Sequence, residues 1–188
     1  MKSVALFRVN VVWLAIVISF IFGLGSSSIF TLRAQEPASD HHDWKVYTNA
    51  KFQYAICYPQ DLLVPQGESD AGDGQTFLAK DGAKLIVFGQ NNVLGETLKD
   101  WFEGNTSNLV GRSGNVTYTV IKPNLHVVSG LNGSTVFYAK AISTSGKFKE
   151  FILTYDVSQA AMYKPVVKRL TTGCFVNTKW ASVSPSKR

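Results

Sequence analysis

The densest set of groups able to do chemistry lies in Glu68–Phe77, "ESDAGDGQTF", where Glu68, Asp70 and Asp73 stand with Ser69, Gly72 and Gly74 ahead of an apolar run. A calcium loop of the helix–loop–helix type needs oxygen ligands at alternate positions, a glycine sixth and a glutamate twelfth. Here Gly72 falls where a ligand is required, and the segment leads into a strand pattern. A phosphate cradle needs a helix after it and usually a lysine, and neither follows. What Gly72-Asp73-Gly74 does supply is the set of residues that tight turns use. The reading is a structural turn that holds no ion, with Asp70 and Asp73 at its tip. Acids so placed could serve glycoside hydrolysis only if two of them faced each other across a cleft, and nothing in the spacing sets that up.

Three histidines remain. His41 and His42 sit beside Asp43 in a polar leader, where adjacent histidines without a fixed third ligand give adventitious metal binding. His126 and Ser129 lie three apart on a strand pattern, which puts them on opposite faces and rules against a Ser-His pair. No G-x-S-x-G or H-E-x-x-H motif occurs. No catalytic residue, cofactor site or metal site is assigned. Cys57 and Cys174 are the only cysteines. An even count in an exported chain predicts one bridge, which would close a loop of over a hundred residues and contribute about 4–5 kcal/mol at most.

Export is expected from the start of the chain. Lys2 and Arg8 precede "VVWLAIVISFIFGL" (11–24), small residues follow, and "TLRAQEP" supplies a cleavage point after Ala34. The apolar run is short for a membrane span, so an uncleaved anchor is the competing reading. The whole chain of 188 residues carries a formal +6. Loss of residues 1–34 removes Lys2, Arg8 and Arg33 and leaves 16 basic residues against 13 acidic ones, a net of +3. That charge is too small and too scattered for a nucleic-acid surface.

The elements that must position these residues follow from periodicity. Residues 35–43 read as a flexible leader, 44–180 as one domain and 181–188 as a tail. "WKVYTN" and "KFQYAICYP" read as strands, the second with Phe52, Tyr54, Ile56 and Tyr58 on its richer face. "QTFLA" and "KLIVFGQ" form a hairpin through Asp81-Gly82. Thr97 caps a short helix with Leu94, Leu98, Trp101, Phe102 and Leu109 as its stripe. Strands at "NVTYTVIKP" (Val116, Tyr118 and Val120 on one face), "LHVVSG", "STVFYAKAIS" and "KFKEFILTYD" form a meander, turning at Asn132-Gly133 and at Ser145-Gly146. A last helix over 158–172 would bury Met162, Val166, Val167 and Leu170, with Pro165 kinking it. The last two of these strands carry apolar residues on both faces, and a central strand so covered needs a layer on each side, which leaves the helices to supply them. The fold class is α+β: an antiparallel sheet flanked by helices.

"FQYAICYPQDL", "VFYAKA", "FILTYD" followed by a helix, and the closing "CF" together resemble the PsbP-like/Mog-like α/β/α sandwich group, over most of 44–177. That group includes photosystem-associated subunits, a Ran-binding protein and envelope adaptors. The resemblance implies a fold and a bias toward binding over catalysis; it carries no site residue across by position. The expected function is a secreted or periplasmic non-enzymatic binding or adaptor domain with a protein or envelope-polymer partner and no nucleic acid. Membrane attachment is expected only if the N-terminal segment is uncleaved. Its binding loops are expected at sheet ends: 68–74 with Asp70 and Asp73, 111–115 with Ser113 and Asn115, and 130–134 with Asn132, Ser129 lying just before it. Trp44 and Trp180 flank the domain as candidate anchors. An inhibitor is the first alternative, because "SGNVTY" is similar to the Ser-Gly loops of lysozyme inhibitors. A small hydrolase using the acids is the second.

Overall fold

The computed structural model describes residues 41–112 and 114–178. The expected signal segment with its cleavage point, Ser113, Trp180 and the tail from 181 lie outside the described residues.

Two sheets and two α-helices make up the described residues of the domain. The smaller sheet holds β1 (Trp44–Asn49), β2 (Tyr54–Pro59) and β10 (Phe175–Asn177), with β2 in the middle. The larger is antiparallel throughout, in the order β3 (Val64–Glu68), β4 (Gly74–Leu78), β5 (Lys84–Asn91), β9 (Lys147–Asp156), β8 (Thr135–Thr144), β7 (Leu125–Asn132), β6 (Asn115–Lys122). The chain lays down β3–β5, leaves through α1 (Leu98–Val110), re-enters at the far edge as β6, and walks back until β9 closes on β5. Every turn in that walk is short, so most strand pairs are local hairpins.

Helix α1 starts where its capping residues require. The Thr97 side chain accepts from the Asp100 backbone N–H at 3.2 Å, meeting one of the helix's orphan donors. Leu98, Trp101 and Phe102 are buried against the large sheet, and the Trp101 ring stacks on Phe148 at 4.7 Å between centroids. Leu94, expected on this stripe, precedes the helix and is exposed. The helix α2 (Ala160–Arg169) continues into a looser turn, Leu170–Cys174. Its buried stripe is Tyr163, Val166 and Leu170; Met162 lies half exposed, and Val167 packs only at the margin. Tyr163 wins the inward position because its hydroxyl reaches Asp81, donating at about 3.0 Å, so the ring can be buried without losing its polar partner.

The two-faced burial expected for the closing strands holds. Phe151, Leu153 and Tyr155 of β9 point to one side, while Phe148, Glu150 and Ile152 point to the other. The layers differ from the expectation. One face is covered by α1. The other is covered by the three-stranded sheet together with α2, through Tyr54, Ile56, Phe175, Tyr163 and Leu170. The α+β assignment stands, with more sheet in the flanking layers than the sequence pattern indicated. β2 is buried on both faces, which is why its alternation was shallow.

Cys57 and Cys174 are bonded, with Cα atoms 5.2 Å apart across 117 residues of sequence. The bridge fixes the turn after α2 onto β2, beside the β2–β10 pairing.

Candidate functional site

The 68–74 segment is a turn spent on its own structure. It joins β3 to β4 and closes through Ser69 N–H to the Gly74 carbonyl at 2.9 Å and Gly72 N–H to the Ser69 carbonyl at 2.8 Å. Gly72 has φ of 62°, the left-handed region that favours glycine. Asp73 accepts from the Ser69 hydroxyl. Glu68 accepts from the Tyr47 hydroxyl at 2.7 Å and from the Asn49 amide at 2.8 Å. Asn49, almost fully buried, also donates to the Gly72 carbonyl at 3.1 Å and accepts from the Phe52 N–H at 2.8 Å. Lys51 reaches the Ala71 carbonyl at 2.6 Å, and the Tyr54 hydroxyl reaches the Asp73 carbonyl at 3.0 Å. The turn is thus laced to the β1–β2 turn, and two of its three acids already have partners. Among the described residues no three His, Cys, Asp or Glu groups come together as a metal set.

The remaining expected loop residues divide. Gly74 stands in the cross-strand row Phe88–Glu150–Ala141–His126, toward the sheet end that carries Asn91 and Lys147. Asn115, Leu131 and Asn132 stand at the opposite end, beside Thr135 and Asp156. The 68–74 loop therefore does not share a sheet end with the 111–115 and 130–134 loops. Asn132 donates to the Leu109 carbonyl at 3.2 Å and so ties down the last turn of α1. The Ser129 hydroxyl donates to the Phe137 carbonyl at 2.9 Å and lies on the face opposite His126, as alternation requires. In the leader, the His42 Nδ1 lies 2.7 Å from the Asp61 carboxylate. Trp44 is covered by the Arg169 guanidinium, 4.4 Å from its ring centroid.

The described residues also form a concavity that no motif marked. A cleft of about 360 Å³ runs between α1 and the outer strands β6 and β7. Phe102, Val110, Val116, Ile121 and Val128 wall it, with Glu103, Thr106, Thr119 and His126 as its polar points. Unbroken alternation would put Val116 and Ile121 on opposite faces of the strand. A bulge between Val116 and Tyr118 shifts the register, so Val116 turns to the α1 side while Tyr118 and Val120 turn away. Gly130 permits the bulge, since a Cβ at that position would overlap the Asn115 carbonyl oxygen. Both apolar rim residues remain exposed, Val116 at 42% and Ile121 at 54%. His126 forms the cleft floor, nearly buried, edge-on to the Phe102 ring at 5.7 Å. Burial lowers its pKa; the Glu103 charge and the Lys122 backbone pull the other way.

One strand pair inward, past Ala141, lies Glu150. It is fully buried, and neither carboxylate oxygen has a hydrogen-bond partner. Burial pushes its pKa up to about 8, and the nearby Asn105 side chain offsets only part of that. Sequence reading missed this residue, because a glutamate between Lys149 and Phe151 reads as an edge charge.

The fold is similar to that of the solution structure of cyanobacterial PsbP (CyanoP) from Synechocystis sp. PCC 6803, with a TM-score of 0.53 and 15% identity over 71% of this chain and 92% of that one. The likeness to the PsbP-like group expected from the sequence is present in the fold, and at that identity it shows the fold alone. No family model matches the chain, and no curated protein matches it.

Proposed function

We propose that the chain is an exported, non-enzymatic binding domain that receives an extended, apolar segment of a partner protein in the cleft between α1 and β6–β7. The observation that carries this reading is the exposed apolar rim, Val116 and Ile121, on an outermost strand whose outer backbone edge pairs with no other strand among the described residues. A free strand edge supplies main-chain affinity, and alternate side-chain pockets beside it supply selectivity. The cleft volume falls in the range of binding pockets. The disulfide and the PsbP-like fold support an extracytoplasmic address, with residues 1–34 removed on export. N-terminal sequencing of the exported protein tests that processing. A product beginning at Gln35 is expected, and a membrane-bound product retaining Met1 refutes it.

Binding itself is tested by backbone-amide NMR with a panel of extended peptides carrying apolar residues at alternate positions. Shifts are expected in β6, β7 and α1. Ile121→Asp should weaken the best peptide about fivefold or more, since burying the exposed half of an isoleucine contributes about 1 kcal/mol. Shifts mapping instead to the 68–74 turn, or no binding by any peptide, defeat the reading.

A further inference from the structure

Glu150 has no task in the cleft walls, yet it lies under the helix that forms one of them. Its two carboxylate oxygens are buried without a hydrogen-bond partner on a face it shares with Phe88, Ala141, Phe148 and Ile152, and Asn105 of α1 is the side chain that offsets its burial. A lone carboxylate in such a place is tolerated as the neutral acid and needs water once ionised. The sheet cannot give it that water, because β9 is paired along its length on both sides. The helix can. After Trp101 and Phe102 its sequence runs Glu103-Gly104-Asn105-Thr106-Ser107-Asn108, nearly all weak helix formers. Among the described residues its far end is held to the sheet by the Asn132–Leu109 hydrogen bond and by the marginal packing of Leu109 and Val110. The least costly response to a charge at Glu150 is therefore release of the C-terminal half of α1, the segment that walls the cleft.

We propose that the C-terminal half of α1 is a pH-sensitive gate over the cleft, seated when Glu150 is protonated and released when Glu150 ionises. This gives a regulation to the binding site proposed above and rests on that reading for its purpose, though not for its mechanism. The surroundings leave the response to one group. On the α1 side the charged residues are Lys99, Asp100 and Glu103, with Lys99 and Glu103 paired to each other at 2.6 Å on the exposed face. On the sheet, His126 faces the same side two strands away and Lys84 lies two rows along on β5, while Lys140 and Lys149 point to the opposite face. His126 ionises toward acid, so any effect of its charge appears at the other end of the pH scale.

The test is a pH series from 6 to 9.5 on the ¹³C,¹⁵N-labelled protein, following the Glu150 carboxyl carbon and the amides of Gly104–Val110. The carboxyl should titrate far above the ordinary glutamate range, and the helix amides should shift with the same midpoint while those of β8 and β9 stay put. Through that midpoint the ratio of released to seated helix should grow about tenfold per pH unit. Glu150→Gln, the closest mimic of the neutral acid, should abolish the helix response. A Glu150 carboxyl that titrates normally, or a helix response that persists in Glu150→Gln, overturns the gate. So does a carboxyl that titrates high in the wild type while α1 stays still, a result that does not depend on any variant folding. The peptide panel, repeated at pH 6.5 and 9, keeps the two readings apart. Helix release with no peptide bound at either pH retains the gate and removes the binding function. Equal peptide binding at both pH values with an unmoving helix does the reverse.

Discussion

Asn49→Ala should detach the acidic turn from the rest of the domain. Asn49 is about 1% exposed and has four contacts within hydrogen-bond distance: the Phe52 N–H at 2.8 Å, the Glu68 carboxylate at 2.8 Å, and the Gly72 carbonyl and Tyr47 hydroxyl at 3.1 Å. Truncation leaves the Phe52 N–H buried without an acceptor, a cost of about 1–3 kcal/mol. The bond to Glu68 is charge-assisted, but Glu68 is exposed and keeps Tyr47, so its loss lies near the low end of about 1.5–3 kcal/mol. Partial entry of water brings the expected total to about 3 kcal/mol, or a fall in Tm of about 10 °C for a domain of this size. Urea unfolding should show a lower midpoint at unchanged m-value. Asn49→Asp sharpens the comparison. It keeps the acceptor for Phe52 but sets a carboxyl against Glu68, and a carboxyl facing a like charge has a raised folded-state pKa. Its contribution is therefore fully present below the unfolded-state pKa near 4 and is lost as pH rises. The N49D protein should be closer to wild type at pH 4 than at pH 7. A loss below 1 kcal/mol for Asn49→Ala, or an N49D protein equal to wild type at pH 7, would show that the turn is held by something other than this network.

Three further outcomes are expected. Replacing both Cys57 and Cys174 by serine should cost up to about 4 kcal/mol, since the cross-link closes a long loop; oxidised wild type and the double variant coinciding in urea would contradict it. Glu150 has its folded pKa raised from 4.5 to about 8, so wild-type stability should fall by about 1.4 kcal/mol per pH unit between about pH 5 and 8; Glu150→Gln should flatten that slope, and parallel slopes in the two proteins would exclude a buried titrating Glu150. Calorimetric titration with Ca²⁺ at physiological salt should show no saturable site, because Glu68 and Asp73 are already engaged within the turn; a site removed by Asp70→Asn with Asp73→Asn would reverse this.

What could be read from sequence was what local chemistry decides. The Thr97 cap and the Asp81-Gly82, Asn132-Gly133 and Ser145-Gly146 turns appear where spacing put them, and the cysteine pairing follows the even count. β3 was invisible, because "VPQGE" is exposed at every position and contains a proline, which suits an edge strand and shows no alternation. The bulge at Val116–Tyr118 was equally hidden: alternation put Val116 with Tyr118, and only the register against Gly130 and Ser129 separates them. The choice of Tyr163 over Met162 on α2 depended on Asp81, 82 residues away. The cleft is assembled from a helix and a distant hairpin, and its inner neighbour Glu150 carries a residue type that composition assigns to the surface.

The covalent loop closed by Cys57 and Cys174 contains all seven strands of the large sheet and both helices, leaving outside it β1, the first half of β2 and β10. Under tension the two ends of this chain are therefore joined by a short path: in along β1 and β2, across the sulfur atoms, and out along β10. A pull between the termini, as when one end is tethered to an envelope and the other is drawn away, peels β1 and β10 and then stops at the bridge. Sheet, helix and cleft carry no load until the bond is reduced. Single-molecule extension should show a contour-length gain confined to the segments outside the loop, and a second, larger gain only after reductant is added.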